Sequence, residues 1–148
     1  MLTDNLVVLF ERDLQKLKNE ISAYTKEEKI WLVIAGISNS GGNLCLHLLG
    51  NLQHYIGGVL GSSGYSRNRP QEFSQKNIPV SEMIRITDHT ILVVTQTIQL
   101  LSAETLAKDY PEKVFDHAMN TEYFLLHLLA HLNYHLGQIN YHRRIVSG

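Results

Sequence analysis

The chain has 148 residues, 44% apolar and 18% charged, which excludes disordered and fibrous classes and suits one domain, residues 1–148, with its own core. Lys plus Arg number 13 against 14 Asp plus Glu, a formal net charge of -1, and this balance speaks against a nucleic-acid partner, which draws a basic excess. The longest apolar run, Ile30 to Ile37, has 8 residues and includes Gly36, so no membrane span is expected, and Met1-Leu2-Thr3-Asp4 lacks the basic start of a secretory signal.

The first predicted helix is carried by Val7, Phe10, Leu14, Leu17 and Ile21, one apolar stripe at helical spacing. Thr25 and Glu28 form a Thr-x-x-Glu pattern, a candidate capping box for a short turn reaching Trp31. A polar linker with several N-cap residues, Gly36 to Gly42, precedes a second helix from about Asn43 to Leu60. Its inner stripe is Leu44, Leu48, Leu52, Tyr55 and Val59. Gly61 to Asn77 has no period, and a connection this long is a crossover or functional. Ser81 is the expected cap of a third helix with the seam Ile84, Thr87, Ile91, Val94, Ile98 and Leu101. A second connection, about Ser102 to Met119, leads to a last helix from about Asn120 nearly to the C-terminus. Four amphipathic helices with no convincing strand predict an all-α four-helix bundle.

Histidine is the unusual residue, 8 of 148. On the last helix His127, His131 and His135 step by four and His142 follows, all within an arc of roughly 80° at the margin of the apolar face. On the second helix His47, Asn51, His54 and Gly58 form a similar stripe beside Leu48 and Leu52. Imidazoles at i and i+4 can reach one metal ion, and a third from a neighbouring helix completes a three-ligand set with an open position. His131 and His135 are the best pair and His47 the best third ligand; the ligand type suits Zn, Ni, Cu or Fe(II). Spacing alone leaves two readings open, a metal site and a hydrogen-bonded structural stripe.

Several chemistries are excluded. His131-Leu132-Asn133-Tyr134-His135 lacks the Glu of a zincin motif, no Glu-x-x-His of a di-iron site occurs, and the glycines from Gly57 to Gly64 precede no Gly-Lys-Ser/Thr. No carboxylate falls in either stripe; Asp88 and Glu122 are the nearest candidates for a base. The lone Cys45 lies across the helix from His47 and reads as core; it forms no internal disulfide and fits a reducing, cytoplasmic compartment. Arg67 and Arg69 are candidates to clamp an anionic group of a ligand, and His54 and His127 to line the site as substrate contacts. Asn43, Asn51 and Gln138 are candidates to orient ligand rings.

Leu46-His47-Leu48-Leu49-Gly50-Asn51-Leu52, together with His131-x-x-x-His135-x-Gly137-Gln138-Ile139, resembles the DinB-like superfamily, which includes YfiT-like putative metal-dependent hydrolases and thiol-dependent transferases. The resemblance covers essentially the whole chain. It implies an up-down-down-up bundle with long crossovers, a homodimer, and a metal, nickel or zinc, on His47, His131 and His135. It also implies a low-molecular-weight thiol, bacillithiol or mycothiol in some members, as cosubstrate.

Three functions are carried forward. A metal-dependent enzyme acting on a small molecule could transfer a thiol, since a metal can hold the thiolate without a protein base. A metal-dependent hydrolase normally needs a base beside the metal, and none is evident. A non-catalytic dimeric metal-binding module would close the fourth position with a side chain such as His127 or His54.

Overall fold

A computed structural model describes residues 1–147. Helix α1 is Leu2–Ser22, α2 is Gly41–Leu52, α3 is Arg69–Ser74, α4 is Val80–Gln99, α5 is Ala103–Ala107 and α6 is Thr121–Ser147. A 3-10 turn covers Glu27–Trp31, and α2 continues as a wider π-helical segment over Gln53–Leu60. Among the described residues no sheet forms; an isolated backbone bridge pairs Asp109 with Asn120.

The four long helices pack as a ring in the order α1, α4, α2, α6. Their directions follow from side-chain pairs. Asp13 meets Asn133, and Glu20 meets Asn140, so α1 and α6 run parallel. Gly41 lies beside His142, and Tyr55 beside Phe124, so α2 and α6 are antiparallel. Gly57 faces Val93 and Gly61 faces Thr97, so α2 with its continuation and α4 are parallel. Lys18 bonds Asp88 at 2.8 Å while Glu27 reaches the Val80 backbone, so α1 opposes α4. The bundle is therefore up-down-down-up. Two parallel helices in succession need a connection that returns along the bundle, which is the physical reason for the long segment between Leu60 and Val80.

The core follows most of the expected stripes, with Leu6 and Met83 buried where Val7 and Ile84 were expected. Phe10, Leu14, Leu17 and Ile21 of α1 are buried with Leu48, Leu52, Val94, Ile98, Leu128 and Leu132. Every residue of α2 is buried. Its outward side is covered by α3 and by the 3-10 turn, Glu72 lying against Gly50 and Trp31 against Gly42, so it is apolar on more than one face.

Local structure differs from the sequence reading in several places, among them the short helix α5 inside the second connection. Thr25 makes no capping bond; the turn begins after Lys26 in extended backbone. Pro79 and not Ser81 stands at the N-cap of α4, fitting a residue locked near helical φ at the helix entrance. The aperiodic segment contains the short helix α3, capped by the Asn68 side chain, with Pro70 in its first turn. A six-residue helix is too short to show a period.

Candidate metal centre

Ser40 caps α2 by accepting from the Asn43 amide at 3.1 Å, which fixes the helix start about two turns before His47. His47 projects from this buried helix toward α6. One ring nitrogen each from His47, His131 and His135 lies within 4.8 Å of the others. The His47 and His131 Nε2 atoms are 3.3 Å apart. A tetrahedral zinc with bonds of about 2.0–2.1 Å holds its nitrogens about 3.3 Å apart, so this pair already stands at ligand spacing. The rings are near-perpendicular, with centroids 5.1 Å apart for His47–His131, 5.3 Å for His47–His135 and 4.6 Å for His131–His135.

The outer nitrogens decide the tautomers. His47 Nδ1–H donates to Glu72 Oε1 at 3.1 Å, and His135 Nδ1–H donates to Gln138 Oε1 at 2.7 Å. Both acceptors are oxygens, so Nε2 of each ring is left with a bare lone pair. His131 cannot satisfy both nitrogens within the protein, because its buried Nδ1 has no partner. Asn51 Oδ1, on the facing helix α2, is the other buried unpartnered side-chain atom among the described residues. A cation accepting lone pairs at Nε2 would place the His131 proton on Nδ1 as a donor, the complement of that acceptor. The donor set thus fits a divalent ion.

Burial pushes the His131 pKa down to about 4, with His135, His47, His127 and Arg67 adding repulsion. Burial also lowers His135, with His47 adding to it against the opposing bond to Gln138. Neutral rings are what a metal requires, so little proton competition exists at neutral pH.

Glu72 was not legible from spacing. It sits on α3, and three features of α2 and the loop put it under His47. Asn43 Nδ2 donates to the Glu72 carbonyl at 3.0 Å and the Gln75 carbonyl at 2.8 Å, pinning the end of α3 to α2. Gly50 leaves room for the carboxylate; a Cβ there would collide with it. Arg67 grips it with Nε and a second guanidinium nitrogen, both at 2.9 Å. Burial alone would raise the Glu72 pKa, but the bonds from His47 and Arg67 and the Arg67 charge outweigh it, and the group lies below its ordinary value. The carboxylate orients His47 and is already fully engaged.

The other expected residues divide. Arg67 clamps a carboxylate, as its type suggests, but an internal one, and its guanidinium also lies 5.5 Å over the Tyr55 ring. Arg69 is exposed and lies over Phe73, which packs against His47 at 4.8 Å. His127 stacks along the stripe 6.4 Å from His131 and meets Phe115 edge-on at 4.9 Å. His54 turns to Glu112 at 3.0 Å and packs on Tyr55. His142 leaves the stripe: its Nδ1 is 2.7 Å from the Tyr24 hydroxyl, and its Nε2–H donates to the Leu32 carbonyl at 2.8 Å. It is a satisfied core histidine at the end of the bundle. Asp88 and Glu122 are not bases for this site: Asp88 pairs with Lys18, and Glu122 lies in the exposed first turn of α6. Cys45 is fully buried, and burial pushes its thiol up to about 12.

No helix among the described residues is long and apolar enough to cross a membrane. No curated protein matches the sequence. The model of one protein family matches residues 5–148, nearly the whole chain, and the chain therefore belongs to that family, described as a protein of unknown function (DUF1572).

Proposed function

We propose that this protein is a DinB-like metal-dependent enzyme that holds zinc or nickel on His47, His131 and His135 and transfers a low-molecular-weight thiol to an electrophilic small molecule. The observation that carries the reading is the convergence of three imidazoles, two of them locked by Glu72 and Gln138 through their outer nitrogens. A divalent ion in such a neutral site keeps its full charge and lowers the pKa of a thiol or water beside it.

The chain's own residues supply orientation. Glu72 and Gln138 hold the ring tautomers, and Arg67 holds Glu72. In the transfer, the thiol proton goes to solvent, sulfur forms a bond to the electrophilic carbon, and the leaving group departs with the bonding electrons. That chemistry asks for no protein base. Hydrolysis does, and the carboxylate nearest the triad is bound by both His47 and Arg67. This favours transfer over a hydrolase. A homodimer and a cytoplasmic location belong to the same reading; the absence of any disulfide partner for Cys45 supports the second.

The test is a thiol-transfer assay with several cellular thiols and a chromogenic electrophile, on metal-loaded and metal-free protein. Turnover that depends on both metal and thiol is expected. Equal turnover in both forms, or ester hydrolysis without thiol, would overturn the reading; no turnover in either form would favour the non-catalytic module.

A further inference from the structure

A cleft of about 510 Å³ opens beside the triad, between the loop after the 3-10 turn and the outer face of α6. That size lies in the range of small-molecule sites. Its two sides are built differently. Ile34 and Ile37 come from the loop, and Tyr134, Tyr141 and Ile145 from α6, where spacing places them along one helix face. Leu44 of α2 forms part of the floor.

Two features tie the cleft to the chemistry. His135 and Gln138 line it, so one end of the cleft is the outer side of the triad. The floor histidine, His142, has both nitrogens engaged by Tyr24 and the Leu32 carbonyl, so it offers a bound molecule only its ring surface. The bond to Leu32 also anchors the start of the loop that walls the cleft.

The lining is selective by what it lacks. It contains no Asp, Glu, Lys or Arg. Its polar groups are uncharged apart from the two imidazoles: Ser38, Asn39, Gln138 and the hydroxyls of Tyr134 and Tyr141. Yet its rim leaves large apolar side chains in water, with Ile145 62% and Tyr141 66% exposed. Away from the triad an ionised group would lose hydration here and meet no opposite charge in the lining; an uncharged apolar body would cover the rim.

We propose that this cleft binds the body of the electrophilic substrate and selects uncharged molecules with an aromatic or branched aliphatic body, whose reacting end extends past His135 toward the triad. The proposal rests on the thiol-transfer reading for the role of the bound molecule, and on the cleft alone for its chemistry.

The experiment uses the full chain without thiol. Binding of neutral 1-chloro-2,4-dinitrobenzene and of its carboxylated analogue, 4-chloro-3,5-dinitrobenzoate, is followed by amide shifts, with metal content read on the same samples. The neutral probe should shift the loop around Ile37 and Ser38 and the α6 turn from Tyr141 to Ile145. Its carboxylated analogue should bind at least about tenfold more weakly, the scale of apolar pocket discrimination. Ile37→Asp and Ile145→Asp, both at exposed positions that fold without these side chains' burial, should each weaken the neutral probe by about tenfold with metal content unchanged. Equal affinity for both probes, shifts mapping elsewhere, or variants that bind as wild type would overturn the proposal. Shifts that follow protein concentration and not probe would also overturn it, marking the cleft as a contact between copies. His131→Ala separates the two readings: it should remove metal and leave probe binding in place.

Discussion

Replacing Glu72 by Gln keeps the side-chain shape and removes one negative charge from beneath His47. Two interactions change together. His47 Nδ1–H loses a charged acceptor at 3.1 Å, and the half-buried Arg67 loses its bidentate partner at 2.9 Å. A carboxylate behind a ligating histidine raises the basicity of the ring and fixes its orientation, and its loss typically weakens metal binding about 10–100-fold. Breaking a buried ion pair costs about 3–5 kcal/mol, and because the amide retains part of the hydrogen bonding, a loss of about 2–3 kcal/mol in stability is expected here. The assay is competition for zinc against a chromophoric chelator at neutral pH, with denaturant unfolding run in parallel on the metal-free protein. An affinity unchanged within about twofold, in a variant that is folded, would refute the orienting role, since the predicted change is far larger. Gly50→Ala is the complementary perturbation. It touches neither His47 nor the charge, and should reproduce the weakening by pushing the carboxylate aside.

Further outcomes follow from the same geometry. His131 is held neutral in the native protein with a pKa of about 4, against 6.5 for the free group, so the unfolded chain takes up this proton first as pH falls. Metal-free protein should keep its stability above about pH 6.5 and lose it progressively toward pH 4; a denaturation midpoint flat between about pH 7 and pH 5 would contradict this. Cys45 should resist a disulfide reagent in the native state and react only in denaturant, because its buried thiol is pushed up to about 12; stoichiometric labelling of folded protein would show the burial to be wrong. Leu52→Ala, at a fully buried position of α2, should cost about 2–5 kcal/mol, read as a shift in urea midpoint.

Much of the bundle was legible because its helices are long and one-sided. Phe10, Leu14, Leu17 and Ile21 recur at helical spacing and are all buried. The triad was legible because a wheel reports azimuth well, and azimuth is what brings His47, His131 and His135 to one seam. Height along the helix is what a wheel omits, and His142 shows the cost. It shares the azimuth of the stripe but lies at the bundle end, where Tyr24 and Leu32 satisfy it. Glu72 escaped for a different reason. Its position depends on a crossover docking through Asn43, a long-range contact that no local period encodes. The available signal was Gly50, a helix-interior glycine in the motif beside His47, since such a residue costs about 1 kcal/mol relative to Ala and marks a close approach.

Elemental analysis decides whether the three histidines hold one ion. The protein should be prepared without a histidine tag or a nickel column, exposed to zinc or nickel, freed of excess, and quantified by mass spectrometry beside His47→Ala, His131→Ala and His135→Ala. One ion per wild-type chain, and loss of it in each variant, is the predicted result. A wild-type chain that retains no ion, or variants that retain it at unchanged stoichiometry, would show that the triad is not a metal site.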